Sequence, residues 1–141
     1  MIFKILIVDD SVVIRRLVRL CIQSNTDWHV CGEAENGHVA VEKVSELKPH
    51  VVILDLSMPV MDGIEAARHI ARITPDVTMV LFTMHNSEQL KRDARTVGIR
   101  HVISKLDTLE NHLLATLKTI YAGIEDQQTD NSLTPASIEE D

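Results

Sequence analysis

Pro49-His50-Val51-Val52-Ile53-Leu54-Asp55-Leu56-Ser57-Met58-Pro59 is the stretch on which the fold turns. Four consecutive apolar residues, two Val and one Ile among them, run directly into an acid. A short unbroken apolar run rich in β-branched residues fits a central parallel strand covered on both faces. A carboxylate is costly to bury, so one placed here belongs at the carboxyl edge of the strand. In open α/β sheets that edge is where ligands bind. Taken alone, Asp55 reads better as a solvated residue opening the loop that Pro59 and Gly63 punctuate.

A second acidic strand end shifts that balance. Phe3-Lys4-Ile5-Leu6-Ile7-Val8 is another apolar run, and it stops in Asp9-Asp10-Ser11. If the two strands are parallel neighbours, three carboxylates meet at one sheet edge. Their mutual repulsion is relieved by a hard cation such as Mg2+.

The rest of the chain alternates around these two runs. Ser11 is placed to cap a helix whose stripe is Ile14, Leu17, Val18, Cys21 and Ile22, with Arg15, Arg16 and Arg19 off it. A short strand follows over 28–33. A helix starts near Asn36-Gly37, carries Ala40, Val44 and Leu47, and closes at Lys48-Pro49. Beyond the third strand, a loop over 56–63 leads into a helix facing inward through Ile64, Ala67, Ile70 and Ala71. The fourth strand covers 77–82 and ends in Thr83. A polar helix anchored by Leu90, Ala94 and Val97 stops at Gly98, a left-handed cap position. A fifth strand over 99–103 runs into Ser104-Lys105. Leu109, Leu113, Leu117 and Ile120 stripe the last helix, with Gly123 as its stop. Five β-α units predict an α/β fold, a doubly wound five-stranded parallel sheet with helices on both faces. The domain is 1–123; residues 124–141, polar, acidic and without periodicity, are expected to form a disordered tail.

Composition narrows the function. The 141 residues are 45% hydrophobic, enough for one core. The net charge of −7 comes mostly from the six acids after Gly123, and the remainder nearly balances at 14 basic and 15 acidic side chains. With aromatics at only 3%, a nucleic-acid groove or base-stacking platform is not expected. No segment has the roughly 18 uninterrupted apolar residues of a membrane span. The start lacks a basic region and a cleavage site, so a cytoplasmic protein is expected. Cys21 and Cys31 lack metal-ligand spacing and read as buried thiols. The seven histidines are scattered, and neither a phosphate loop nor a G-x-G-x-x-G turn occurs.

Strands one, three, four and five thus end in Asp9-Asp10, Asp55, Thr83 and Lys105. If the strands lie in the order 2-1-3-4-5, all of these line one shallow cleft. Asp10 and Asp55 can hold Mg2+ directly, with Asp9 acting through water, and Mn2+ is an acceptable substitute. Asp55 can attack phosphorus to give an acyl phosphate. Thr83 can donate its hydroxyl proton to a phosphoryl oxygen, and Lys105 supplies positive charge against the developing negative charge.

Ile7-Val8-Asp9-Asp10-Ser11, Leu54-Asp55-Leu56-Ser57-Met58-Pro59 with Asp62-Gly63, Thr83-Met84 and Lys105 together resemble the receiver domain of two-component response regulators, over about residues 3–121. The resemblance implies a flavodoxin-like sandwich with Asp55 as phosphoacceptor. It implies a sensor histidine kinase or histidine phosphotransfer protein as donor. It adds the backbone carbonyl of Ser57 to the metal ligands, and makes Thr83 a switch residue. Such a protein catalyses its own phosphorylation and slow dephosphorylation, yet works as a signal. Met84-His85 and Asp27-Trp28-His29-Val30 resemble the branch that usually carries a helix-turn-helix output domain.

Two positions depart from the family pattern. Val102 stands where an aromatic switch residue is common, which makes His101 a candidate for part of the exposed signal. Leu106 stands where proline is common. By the same resemblance, Arg15, Arg16, Arg19 and Leu106 are expected to meet the phosphodonor. Lys91, Arg92 and Arg95 are expected on a face that pairs with a second copy after phosphorylation or meets an output partner. The alternative is a protein-interaction adaptor of the same fold that works without phosphorylation. A phosphatase with an Asp nucleophile would want D-x-D after a strand, which Asp55-Leu56-Ser57 does not supply.

Overall fold

The structure, a computed structural model, describes residues 1–84 and 87–140, with side chains through residue 127. His85 and Asn86, part of the link after Thr83, lie outside the described residues.

The apolar runs form the five strands β1 (Lys4–Val8), β2 (His29–Ala34), β3 (Val51–Leu54), β4 (Thr78–Thr83) and β5 (His101–Ser104). They lie parallel, as the alternation predicts, and their order is β2-β1-β3-β4-β5. β3 is buried at every position, which explains its uninterrupted Val-Val-Ile-Leu. Register brings the strand ends level: Val8 pairs with Leu54, Leu54 with Leu81, and Thr83 with Ser104. The ladder continues one residue past the strands, with Asp55 N–H donating to Val8 O at 2.9 Å and Lys105 N–H to Thr83 O at 2.8 Å.

Helices cover both faces. α2 (Gly37–Leu47), α3 (Gly63–Ile73) and α4 (Glu88–Thr96) pack on one core, built on Leu6, Val52, Leu54, Ile70 and Leu81. α1 (Val12–Asn25) and α5 (Ala115–Glu140) close the other, around Ile5, Ile7, Ile53, Phe82 and Leu117. A π-helical turn, Leu109–Leu114, leads into α5. The first four helices are each started by a side-chain cap: Ser11, Asn36, Asp62 and Ser87 accept from the N–H three residues on. Each such cap is worth about 1 kcal/mol. Gly98 has φ +96°, the left-handed stop expected of it.

Several local expectations are corrected. Leu17, placed on the inward stripe of α1, is exposed; Val18 and Ile22 are the buried pair. Cys21 and Cys31 are half-buried rather than buried. The last helix does not end at Gly123; its backbone continues to Glu140. A helical glycine costs only about 1 kcal/mol, and the Tyr121 hydroxyl donates to Glu125 at 3.0 Å across it.

Candidate functional site

The level strand ends collect the predicted residues at one edge of the sheet. Asp9 and Asp55 are buried, with 2% and 5% of their surface exposed, while Asp10 faces solvent. Oxygens of these three carboxylates lie within 4.8 Å of one another. Between the two buried acids stands Lys105, its ammonium 2.7 Å from Asp9 Oδ2 and 3.1 Å from Asp55 Oδ1. The same ammonium lies 5.8 Å above the Phe82 ring. The other Asp9 oxygen accepts from Ser11 N–H at 2.9 Å, so the residue that caps α1 also fixes the acid.

Two carboxylates and one ammonium leave a surplus negative charge in a buried place. Burial, then the neighbouring Asp9, pushes the Asp55 carboxyl above its ordinary range despite Lys105. Burial works against the Lys105 ammonium too, but its bonds to Asp9 and Asp55 outweigh that and hold it above its ordinary value. Clustered all-oxygen donors with excess negative charge fit a hard divalent cation such as Mg2+, which keeps several waters beside its carboxylates.

Thr83 ends β4 and is 1% exposed. Ser57 is exposed on the loop two residues beyond Asp55. His101 and Val102 are half-buried on β5, with Val102 opposite Leu81. Leu106, beside Lys105, is 75% exposed. Of the arginines on α1, only Arg16 faces solvent freely. Arg15 and Arg19 both bind Glu33 of β2, at 2.9 and 2.8 Å. From sequence, Glu33 is only the last residue of the second strand. Its signal was present in two arginines four apart on one helix and an acid near the end of the adjoining strand. On α4, Arg92 and Arg95 are exposed, and Lys91 pairs with Glu88 at 3.4 Å.

This fold and acid cluster are those of receiver domains. The profile of the response regulator receiver domain matches residues 5–118, and the chain belongs to that family. It is similar to the transcriptional regulatory protein YdfI of Bacillus subtilis, with 36% identity over 120 residues, 85% of this chain and 55% of that protein. The chain thus spans about half the length of YdfI. It is 35% identical to the chemotaxis protein CheY of Thermotoga maritima over 102 residues, 72% of this chain and 84% of CheY. The crystal structure of a LuxR-family two-component response regulator from Aurantimonas superposes with a TM-score of 0.81 at 28% identity, covering 87% of each chain. Asp9, Asp10 and Asp55 are the Mg2+ cluster of this receiver domain. No helix among the described residues is long and apolar enough to cross a membrane.

Proposed function

We propose that this chain is a phosphoryl-accepting switch. Asp55 takes a phosphoryl group from a phosphohistidine on a sensor histidine kinase or histidine phosphotransfer protein and later loses it to water. The observation that carries this reading is the Lys105 ammonium bridging two buried carboxylates, 2.7 Å from Asp9 and 3.1 Å from Asp55. When bound, Mg2+ supplies positive charge against the phosphoryl oxygens. Asp9, Asp10, Asp55 and the backbone carbonyl of Ser57 are its ligands in this reading, and Mn2+ suits the same donors.

An Asp55 oxygen attacks phosphorus. The new O–P bond forms as the P–N bond breaks, and the donor imidazole keeps the electron pair. Lys105 shifts from Asp55 toward a phosphoryl oxygen as the negative charge moves there. Thr83 turns to donate to another oxygen. Its burial supports a switch role, because a group leaving a packed position makes room that neighbours must fill. Val102 and His101, half-buried on the adjoining strand, are the residues to fill it.

The phosphodonor docks on the outer side of α1, where Val13 and Leu20 are exposed near Arg16, and against Leu106. Lys91, Arg92 and Arg95, with Glu88 and Asp93, give α4 the mixed charge that suits a phosphorylation-dependent pairing of two copies. YdfI is a transcriptional regulatory protein, which supports placing this receiver in the branch that works through a helix-turn-helix output. The domain proper is residues 1–123, acting in the cytoplasm.

The test is intact mass after incubation with a small phosphodonor, with and without Mg2+, beside Asp55→Asn. The expected result is a Mg2+-dependent gain of one phosphoryl group that Asp55→Asn lacks. Folded, Mg2+-binding protein that gains nothing, from the small donor or from a phosphohistidine protein, would instead be the phosphorylation-independent adaptor.

A further inference from the structure

Arg15 is turned inward to the acid cluster. From α1 its Nε donates to Glu33 Oε1 at 2.9 Å, and its Nη1 donates to the backbone carbonyl of Asp9 at 2.7 Å. Arg19 holds the other Glu33 oxygen at 2.8 Å. Asp9 is consequently tied at four atoms. Its N–H donates to Ala34 O at 3.0 Å, its side-chain oxygens accept from Ser11 N–H and Lys105, and its carbonyl accepts from Arg15. The carbonyl bond links Asp9, through Arg15, to a carboxylate on β2.

We propose that Arg15 is a positioning residue for the Mg2+ site and Glu33 its anchor. The fork between them holds the Asp9 carbonyl, and with it the turn carrying Asp9 and Asp10, in the geometry the cation needs. A planar guanidinium can grip a carboxylate and a carbonyl at once; an ammonium presents a point charge without that fork. Partners that orient a metal ligand without touching the metal contribute to affinity in this way.

The sign of the effect separates positioning from simple charge. Arg15 is a cation near a cation site, so removing its charge alone would tighten Mg2+ binding. Loosening the turn weakens it. Because the proposal rests on reading the three acids as the Mg2+ site, one measurement is made without metal. The full chain is compared with Arg15→Met, Glu33→Gln, the double variant, and Lys43→Met. Lys43 donates to the Glu33 backbone carbonyl and leaves the fork intact, so it controls for disturbance of β2.

Calorimetric titration with MgCl2, without phosphodonor, is expected to show a dissociation constant raised about tenfold in Arg15→Met. Glu33→Gln should show a smaller rise, and the double variant no more than Arg15→Met alone. In metal-free protein, amides of residues 9–12 should exchange faster in both single variants and not in Lys43→Met. Mg2+ binding as tight as, or tighter than, the parent in Arg15→Met would overturn the proposal. So would unchanged exchange at residues 9–12. If Arg15→Met does not fold, Glu33→Gln decides by the same two criteria. A parent that binds no Mg2+ would sink the metal-site reading, and with it the role assigned to Arg15, whereas the exchange data would still show whether the clamp holds the turn.

Discussion

At the scale of residues, the site is a charge imbalance. Asp9 and Asp55 are buried with one ammonium between them. Lys105→Met leaves two buried carboxylates facing each other and should cost about 3 kcal/mol in metal-free protein at neutral pH, read from urea unfolding. Asp55→Asn leaves a matched Asp9–Lys105 pair and should stabilise by about 1 kcal/mol. The pH dependence follows from the raised Asp55 carboxyl. The folded state keeps this proton to higher pH than the unfolded chain. Its stabilising share is present at low pH and is lost as pH rises from the ordinary carboxylate value through the raised one. The advantage of Asp55→Asn should therefore close as pH falls into the carboxylate range. Saturating Mg2+ acts on the same imbalance. At a hundredfold its dissociation constant it should raise parent stability by about 2.7 kcal/mol, and clearly less in Asp55→Asn. Asp9, Asp10, Asp55, Thr83 and Lys105 were legible in the sequence because each follows an apolar run, and strand order alone brings such positions together. For Glu33 and Arg15 the residue types were there to read but their pairing was not, because it depends on how closely α1 approaches β2 and which way two long side chains turn.

At the scale of elements, the loop between β3 and α3 carries most of the constraint. Met61 N–H donates to Pro59 O at 2.7 Å, closing a tight turn around Val60 with φ 70°. A β-branched residue there is strained. Val60 is 81% exposed, so no packing compensates. Val60→Gly should raise the urea midpoint, for a gain of about 0.5 kcal/mol once the added freedom of the unfolded glycine is set against the relieved strain. Gly63 is the opposite case. Its N–H donates to Leu56 O at 2.8 Å, and a Cβ would stand 2.2 Å from the Asp55 carbonyl oxygen. Gly63→Ala should cost about 3 kcal/mol and weaken Mg2+ binding, because the backbone that must move is that of Asp55. From sequence, Gly63 read as loop punctuation and, with Asp62, as part of a motif. The structure supplies the reasons: Asp62 caps α3 at 2.8 Å from Glu65 N–H, and Gly63 lets that helix start against the strand end. The end of α5 was less legible than its start, since a single glycine is a weak stop when the flanking residues continue the helix.

At the scale of the whole molecule, the two ends of the sheet are chemically distinct. Acids gather at the carboxyl edge. At the amino edge, Phe3 meets Trp28 and Tyr121 edge-on at 5.0 and 5.1 Å and stacks on His50 at 5.7 Å. The β-α alternation made the sheet legible, but not this cluster, whose members come from the chain start, the entry to β2, the entry to β3 and α5. From Phe3 to Asp9 along β1 is about 20 Å at the rise of an extended strand. Trp28, the sole tryptophan, should therefore report unfolding while its folded-state emission stays constant through a Mg2+ titration. The same cluster sets an acid limit. His50 Nδ1 accepts from Lys4 N–H at 3.0 Å, which requires that nitrogen unprotonated. Burial, then the charges of Lys4 and the N-terminus, lowers the His50 pKa. The unfolded chain takes up this proton first. Stability is full above the ordinary histidine value of about 6.5 and falls as pH drops from there toward the lowered one. His101, lowered by burial and Arg100, adds in the same direction. Measured in Asp55→Asn, where the opposing carboxyl slope is gone, the Trp28-detected midpoint should decline below about pH 6.5. His50→Gln should flatten part of that decline and leave the His101 share. A decline unaltered by His50→Gln would assign the whole slope to His101, and a Mg2+-sensitive Trp28 would mean that β1 couples the two edges.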